Sequence, residues 1–573
     1  MIRIYFLTME YNINDDLEFA QDSGDELDID DLSEAPSDIE EDKLSGDEDT
    51  SEEEENEEGL QTCDENTTFV LGKDKLTKWY GVPQRSYKCT SQVTETIDNA
   101  DRVHPAVPTH SVSSTFQFFL TDHIINQTVD ATNQNGVRKF GDAWERTDDI
   151  EIKAWIGLHI RAGLNKDGFR PLTELFSGKD GPPMYGACMG RERFQALKNT
   201  IRFDDADSRH IRRSGKTEGS LAPIHEVFSM FMEACNINYN PGKYLTIDES
   251  LVPFRGRCSF KVYMPKKPDK YGIKIWTMAD ATNSYLCNAQ IYRGKQKDGP
   301  EVGLSQRVVK DLVSNVQGSG RNITVDNFFS SVPLAKELLS RDLTMIGTIR
   351  KNKVEIPPCF QASKTRDVYS TEFGFGQEGT LMLCSYVPRK RKAVTMISSY
   401  HHEKKVEPLP PCKPSLITDY NKTKGSIDTL DQLVKNYTCK RVTNRWPLLI
   451  FYWIIDVGCY NASVCFMSKQ PTIYVGKQKR RKFLMDLSEE LVMPLILRRS
   501  HSQGFRKLHK ETLTKMALFL PEDLAQQQQF TENQQKRCSK CPRVMDKKTR
   551  KICSKCCTPL CENHRIIVCS ECA

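Results

Sequence analysis

Residues 243–254 read KYLTIDESLVPF, a strand-like run that breaks a long helical pattern and decides the fold class. KVYMPKKPDKYGIKIWTMAD (261–280) and YLCNAQIYRG (285–294) alternate in strand fashion after it. RNITVDNFFSS (321–331) and LTMIGTIRKN (343–352) are further strands, with helices expected at 301–316 and 332–340. Strands that meet in a hairpin and then alternate with helices imply an α/β sheet of mixed direction. Residues 353–415, Pro-rich and basic in pieces such as PRKRK (388–392), read as an insertion in that sheet.

Working outward, helical patterns precede the sheet at 114–126, 148–164, 191–202 and 224–237, and the segment reads as all-helical. DDIEIKAWIGLHIRAGL (148–164) opens with Asp148 and Glu151 in capping-box spacing, and Ile152, Trp155, Ile156 and Ile160 then form an apolar stripe. Trp155 and His159 read as core residues. After the sheet, helices are expected from Ser426, at 445–467 and at 483–499. The longest apolar run, LLIFYWII (448–455), is too short for a bilayer and reads as a buried helix. MIRIYFLTME (1–10) lacks the pattern of a signal peptide, and no membrane association is expected.

At 573 residues the chain should hold several domains. Its net charge of +3 hides a strong asymmetry. Residues 11–60 contain 23 Asp or Glu and one Lys, whereas residues 61–573, with 78 Lys or Arg against 53 Asp or Glu, carry +25. The acidic block has too little apolar surface to fold and reads as a disordered tail, either a solubilising segment or an internal competitor for a basic surface. The basic remainder points to a polyanionic partner, most simply nucleic acid. Twelve cysteines are scattered between Cys63 and Cys465, as reduced thiols inside a cell would be, and eight crowd into the last 36 residues.

Asp248 and Asp326 close apolar strand runs, and GSIDTLDQ (425–432) carries Asp428 and Asp431 one helical turn apart. Singly, each has an ordinary reading. A strand-end acid can be a turn residue, Asp428 can be a helix N-cap, and Asp431 the third helical residue. Taken together, carboxylates from neighbouring strand ends and a nearby helix can converge on Mg²⁺. Two such ions ~4 Å apart hold the attacking and leaving oxygens of a phosphoryl displacement. Acids that hold cations within a body whose Lys and Arg hold a polyanion suit a DNA-cutting enzyme.

YLTIDESLVPFRGRC, KPDKYGIKIW, RNITVDNFFSS, YNKTKGSIDTLDQ and TNRWP, in this order, resemble the piggyBac family of DNA transposases, from about residue 110 onward. The resemblance implies an RNase H-like catalytic domain with a DDD acid set. Asp248, Asp326 and Asp428 match the three catalytic acids and Asp431 a further essential one. It also implies dimeric, nuclear, Mg²⁺-dependent cut-and-paste transposition: nicking at the transposon end, hairpin formation, and joining at TTAA sites. In that scheme Asp248 and Asp326 bridge the ions, Asp428 completes the second site, and Asp431 supports it. A domesticated DNA-binding protein without catalysis is the alternative. Arg255 and Arg257 are expected to face DNA phosphates near the cut, with Lys270, Lys274 and Arg321 as further contacts. Arg445 and Trp446 could meet a phosphate and a flipped base, unless Trp446 packs under the apolar helix. GKQKRRKF (476–483) reads as a solvated basic face or a nuclear signal.

The cysteine-rich end reads C-x2-C-x11-C-x2-C-x4-C-x2-H-x4-C-x2-C, enough for two tetrahedral Zn²⁺ ions. A cross-brace is expected: Cys538, Cys541, Cys561 and His564 on one ion, Cys553, Cys556, Cys569 and Cys572 on the other. So short a segment needs metal to fold. A ubiquitin-ligase reading competes with DNA recognition, but KRCSKCPRVMDKKTRK (536–551) holds eight Lys or Arg and one Asp, which suits phosphates. The resemblance likewise implies that this domain recognises transposon-end DNA. The expected organisation is multidomain α+β. It has a disordered acidic region (1–110) and a helical dimerisation and DNA-binding domain in two parts (111–242 and 438–515). An RNase H-like catalytic domain with its insertion (243–437), a linker (516–536) and a zinc-binding domain (537–573) complete it.

Overall fold

The computed structural model describes residues 61–62, 68–83, 101–177, 181–215, 218–265, 267–294 and 301–500, with pieces of 536–564. The chain divides into two compact units, Met1–Phe505 and Arg506–Ala573. The acidic block and the proposed linker lie outside the described residues.

In the larger unit the strands are β1 (Gln61–Thr62), β2 (Thr68–Leu71), β3 (Lys78–Tyr80), β4 (Tyr244–Pro253), β5 (Lys261–Tyr263), β6 (Tyr271–Asp280), β7 (Leu286–Ile291), β8 (Asn322–Val325), β9 (Thr344–Thr348), β10 (Thr371–Gly376), β11 (Met382–Arg389) and β12 (Lys392–Ser398). The helices before the sheet are α1 (Val112–Gln117), α2 (Asp122–Phe140), α3 (Asp149–Asn165), α4 (Leu172–Leu175), α5 (Pro183–Cys188), α6 (Arg191–Thr200), α7 (Arg209–Ser214) and α8 (His225–Asn238). Those within and after it are α9 (Leu304–Leu312), α10 (Val332–Leu339), α11 (Ser415–Thr423), α12 (Ser426–Asn436), α13 (Trp446–Lys469) and α14 (Lys479–Ser500).

All twelve strands share one sheet, ordered β1-β2-β3-β10-β11-β12-β9-β8-β4-β6-β5, with β7 also beside β6. At its centre β4 and β8 are parallel, as are β8 and β9, while β6 and β12 run antiparallel to the strands they flank. The apolar runs that read as strands line this centre: Leu245, Ile247, Ile323, Met345 and Ile275 are fully buried. Helices α9 and α10 make the crossovers into β8 and β9.

Residues 353–415, read as an insertion, contribute β10, β11 and β12, which extend the central sheet from β9. One expectation needs correction, since the expected disordered region does not reach residue 110: β2 and β3 pair, and Phe375 and Gly376 of β10 join β3 to the same sheet. Trp79 anchors this addition, 1% exposed and donating its indole N–H to Glu355 O at 2.8 Å.

The helical segment follows its sequence signals. Asp148 caps α3 by accepting from the Glu151 N–H at 2.9 Å. Ile152, Trp155, Ile156, His159 and Ile160 are all buried, with Trp155 and His159 packed among Phe194 and Tyr452. Helix α13 carries LLIFYWII and continues past Asp456 to Lys469. Among the described residues it alone has the length and hydropathy to cross a membrane, but its most apolar stretch is 89% buried within the protein.

Candidate functional site

Ile247 on β4 pairs with Val325 on the parallel strand β8, so the next residue on each, Asp248 and Asp326, leave the ladder side by side. Asp326 follows β8 directly, whereas Asp248 lies mid-strand rather than at a strand end, since β4 runs on to Pro253. Alternation along a strand sets which face each side chain takes. The Thr246 hydroxyl donates to Thr423 O at 2.7 Å, and Ser250 donates to Asp431 Oδ1 at 2.7 Å. Asp248, between them in the alternation, therefore shares the face covered by the end of α11 and by α12. On β8, Thr324 donates to Thr423 Oγ1 at 2.8 Å, which puts the same face under the same helix end.

Gly425, not Asp428, is the N-cap of α12, so Asp428 and Asp431 lie within its first two turns. Asp431 is held down on β4 by Ser250. Asp428 is 73% exposed in its side chain and lies 3.5 Å from the Lys267 ammonium, which also donates to Glu249 O at 2.9 Å. The structure thus sets Asp248 beside Asp326 on the sheet face below the α11–α12 corner, with Asp431 fastened to β4 through Ser250 and Asp428 at the rim.

The electrostatics of this corner suit a divalent cation. Burial, reinforced by the neighbouring charge of Asp326, pushes Asp248 up to about 7. Burial likewise raises Asp326, and raises Asp431 to about 6 against the opposing pull of its Ser250 hydrogen bond. Carboxylates crowded in a poorly hydrated place resist ionising together unless cations sit among them. Oxygen donors of this kind suit a hard divalent cation, and the Lys267 ammonium offsets part of the charge on Asp248, Asp428 and Asp431.

The basic residues divide sharply. Arg255, Arg257 and Lys270 are exposed on the segments flanking β5. Lys274 is 5% exposed and paired with Glu249 at 3.3 Å, and Arg321 donates to Pro241 O, Gly242 O and Asn240. Arg445 is 8% exposed, its guanidinium bonded to Lys198 O at 3.0 Å and to Ile201 O. Trp446 is buried edge-on against Phe260. The expected DNA contacts at Lys274, Arg321, Arg445 and Trp446 are therefore corrected: these side chains are consumed by packing and internal hydrogen bonds.

In the smaller unit the ligand atoms of Cys538, Cys541, Cys561 and His564 all lie within 4.8 Å of one another. His564 Nδ1 is 3.7 Å from Cys538 Sγ, 3.6 Å from Cys541 Sγ and 3.4 Å from Cys561 Sγ, and Cys541 and Cys561 are 3.7 Å apart. A tetrahedron with metal–sulfur bonds of ~2.3 Å has edges of about 3.8 Å, so these spacings fit one Zn²⁺. Backbone hydrogen bonding from Cys561 lowers the Cys538 thiol, whereas burial and the neighbouring thiols raise that of Cys541, and a bound metal needs both as thiolates. Cys553, Cys556, Cys569 and Cys572 lie outside the described residues.

Sequence reasoning missed Ser250, Thr423 and Lys267. Ser250 was legible in principle, two residues beyond Asp248 on the same strand face. Thr423 and Lys267 carry no local signal, because their roles arise from contacts across the fold.

The family model described as Transposase IS4 matches residues 111–463. The chain is 23% identical over 361 residues to piggyBac transposable element-derived protein 3 of Homo sapiens, covering 59% of each chain. It is 21% identical over 368 residues to piggyBac transposable element-derived protein 2 of Homo sapiens, covering 61% of this chain and 60% of that relative. The chain thus spans about three-fifths of the length of these curated relatives. A cryo-EM structure of piggyBac transposase in a synaptic complex with hairpin DNA is similar at TM-score 0.68 and 32% identity, covering 83% of this chain and all of that one. Strands β4 to β12, with all four aspartates, lie within the matched span, and the chain belongs to the piggyBac-type transposase family.

Proposed function

We propose that this protein is a DNA transposase that binds transposon-end DNA and carries out Mg²⁺-dependent strand cleavage, hairpin formation and strand transfer at TTAA targets. The observation that carries this reading is the placing of Asp248 and Asp326 side by side, each one residue past the paired Ile247 and Val325 of parallel strands, with Asp431 fastened to the same sheet face. The order β7-β6-β4-β8-β9, with three antiparallel strands beside two parallel ones, supports an RNase H-like core. DNA binding is supported by the likeness to a transposase–DNA complex and by the +25 charge of residues 61–573.

Bound Mg²⁺ would supply Lewis-acid stabilisation of the phosphate charge that develops during displacement. Asp248 and Asp326 would hold it from the rigid sheet and Asp428 from the helix. Asp431, bonded to Ser250, fixes the register of α12 over β4 and so the height of Asp428 above the other acids. Lys267 ties the Asp428 carboxylate to the β4 backbone through Glu249 O. Arg255 and Arg257 are free to take DNA phosphates beyond the end of β4. Dimerisation, nuclear location and two Zn²⁺ in the cysteine-rich segment complete the proposal.

With Mg²⁺ and its own terminal-repeat DNA, the full chain should nick and then hairpin the ends, and Asp326→Ala should abolish cleavage while binding persists. Cleavage by that variant at the unmodified rate would refute the acid assignment. The names of the curated relatives favour one second reading, a transposon-derived DNA-binding protein without catalysis. That reading requires wild-type protein to bind DNA and leave it uncut, and predicts no TTAA-flanked inverted repeats around the coding region.

A further inference from the structure

The segment after α12 alternates in and out: Arg441, Thr443 and Arg445 are buried, whereas Val442 and Asn444 are exposed. Its first residues meet the turn that follows α3. There the Arg441 guanidinium donates to Asp167 O at 2.8 Å and to Arg170 O at 2.6 Å. The turn is closed by Arg170 N–H to Asp167 O at 3.0 Å and tied to α3 by Asp167 N–H to Ala162 O at 2.8 Å. Gly168 approaches so closely that a Cβ there would stand 3.0 Å from Lys440 O. This turn is clamped at both ends by a buried cation, yet it displays Phe169 with 85% of its surface in solvent.

At the other end of the same segment, a Cβ on Gly256 would stand 2.8 Å from Asn444 O, so the exposed Arg255 and Arg257 flank it there. Lys440 joins the two ends to the catalytic strand by donating to Pro253 O at 2.6 Å. From Lys440 to Asn444 is at most about 13 Å of extended chain, or about four base-pair steps at 3.4 Å each. The segment therefore runs from the turn that bears the exposed Phe169, past the half-exposed Val442, to the loop that bears two exposed arginines.

We propose that Phe169 is a wedge that enters a base step of bound duplex while Arg255 and Arg257 hold phosphates of the same duplex. Backbone contacts alone position a protein on DNA, and an apolar side chain pushed between bases unstacks them and bends the duplex. A flexible tip would lose ordering entropy on insertion, and the Arg441 clamp removes that loss beforehand. Trp446, which the sequence offered as the aromatic for a flipped base, is buried, whereas Phe169 is exposed. This inference rests on the DNA-binding reading above.

The test uses full-length protein and a fluorescein-labelled 30-bp duplex, either fully paired or with a tandem mismatch that makes unstacking easier. Wild type should bind in a salt-dependent way and prefer the mismatched duplex. Phe169→Ala should weaken binding about ten-fold and lose that preference, with its melting temperature and its slope against log salt unchanged. Phe169→Trp should restore both. Arg255→Ala should instead lower the salt slope and keep the mismatch preference. If Phe169→Ala binds both duplexes as wild type does, or alters only the oligomeric state, the wedge is wrong. If wild type itself shows no salt-dependent binding, the DNA reading fails first.

Discussion

Arg445 and Arg255 carry the same charge, and burial separates their roles. The Arg445 guanidinium satisfies two carbonyls at the end of α6, so Arg445→Ala leaves buried acceptors without a donor. That change should cost about 2–3 kcal/mol of stability, read as a drop in melting temperature. Arg255→Ala should leave the melting temperature alone and reduce the salt dependence of DNA binding by about one unit of slope. A thermal shift in the second variant and none in the first would reverse these roles. Asp248 permits a pH prediction of definite sign. Its carboxyl is raised from 3.8 to about 7 in the folded chain. The native state therefore binds the extra proton, and the stability this contributes is fully present below about pH 4 and lost as pH rises through 7. In EDTA the melting temperature should fall from pH 5 to pH 8 more steeply for wild type than for Asp248→Asn, and Mg²⁺ should flatten the wild-type curve. Parallel curves for the two proteins would contradict the burial of this carboxyl.

At the scale of elements, the spacing between β8 and β9 sets the position of Asp326. Gly347 pairs with Val325, and a Cβ there would stand 2.3 Å from Ser330 Oγ and 2.7 Å from Val325 O. Ser330 in turn donates to Asp326 O, so a methyl group at 347 presses on the loop that presents the acid. Gly347→Ala should destabilise the protein by about 1–3 kcal/mol and lower the cleavage rate more than DNA affinity; equal losses in both would argue against a positioning effect. The elements themselves were largely legible. The Asp148 N-cap and apolar stripe of α3, the strand runs around β4, β6 and β8, and the apolar α13 all express local sequence patterns that folding then satisfies. Helix α11 and the pairing of β3 with β10 were not legible, because a short amphipathic segment or an edge strand acquires its partner only from the folded sheet.

The whole molecule adds what no element carries alone. Its larger unit holds the acids, and its smaller unit holds a Cys₃His set whose spacings suit zinc. Cys561→Ser should release one zinc per chain, measured by atomic emission, while the melting transition of the larger unit stays in place. Retention of all the metal by this variant would exclude Cys561 as a ligand. The four aspartates, the ligand spacing of the cysteine-rich end and the charge asymmetry could be read from the chain itself, because side-chain chemistry, spacing and net charge are properties of sequence. Which basic residues remain available to a partner was decided only by tertiary structure. Lys274, Arg321 and Arg445 look like Arg255 on paper, but carbonyls and carboxylates from distant segments surround the first three. The same folding placed Phe169 in solvent and Trp446 in the core, since exposure is set by what the rest of the chain packs against a side chain and not by its own chemistry.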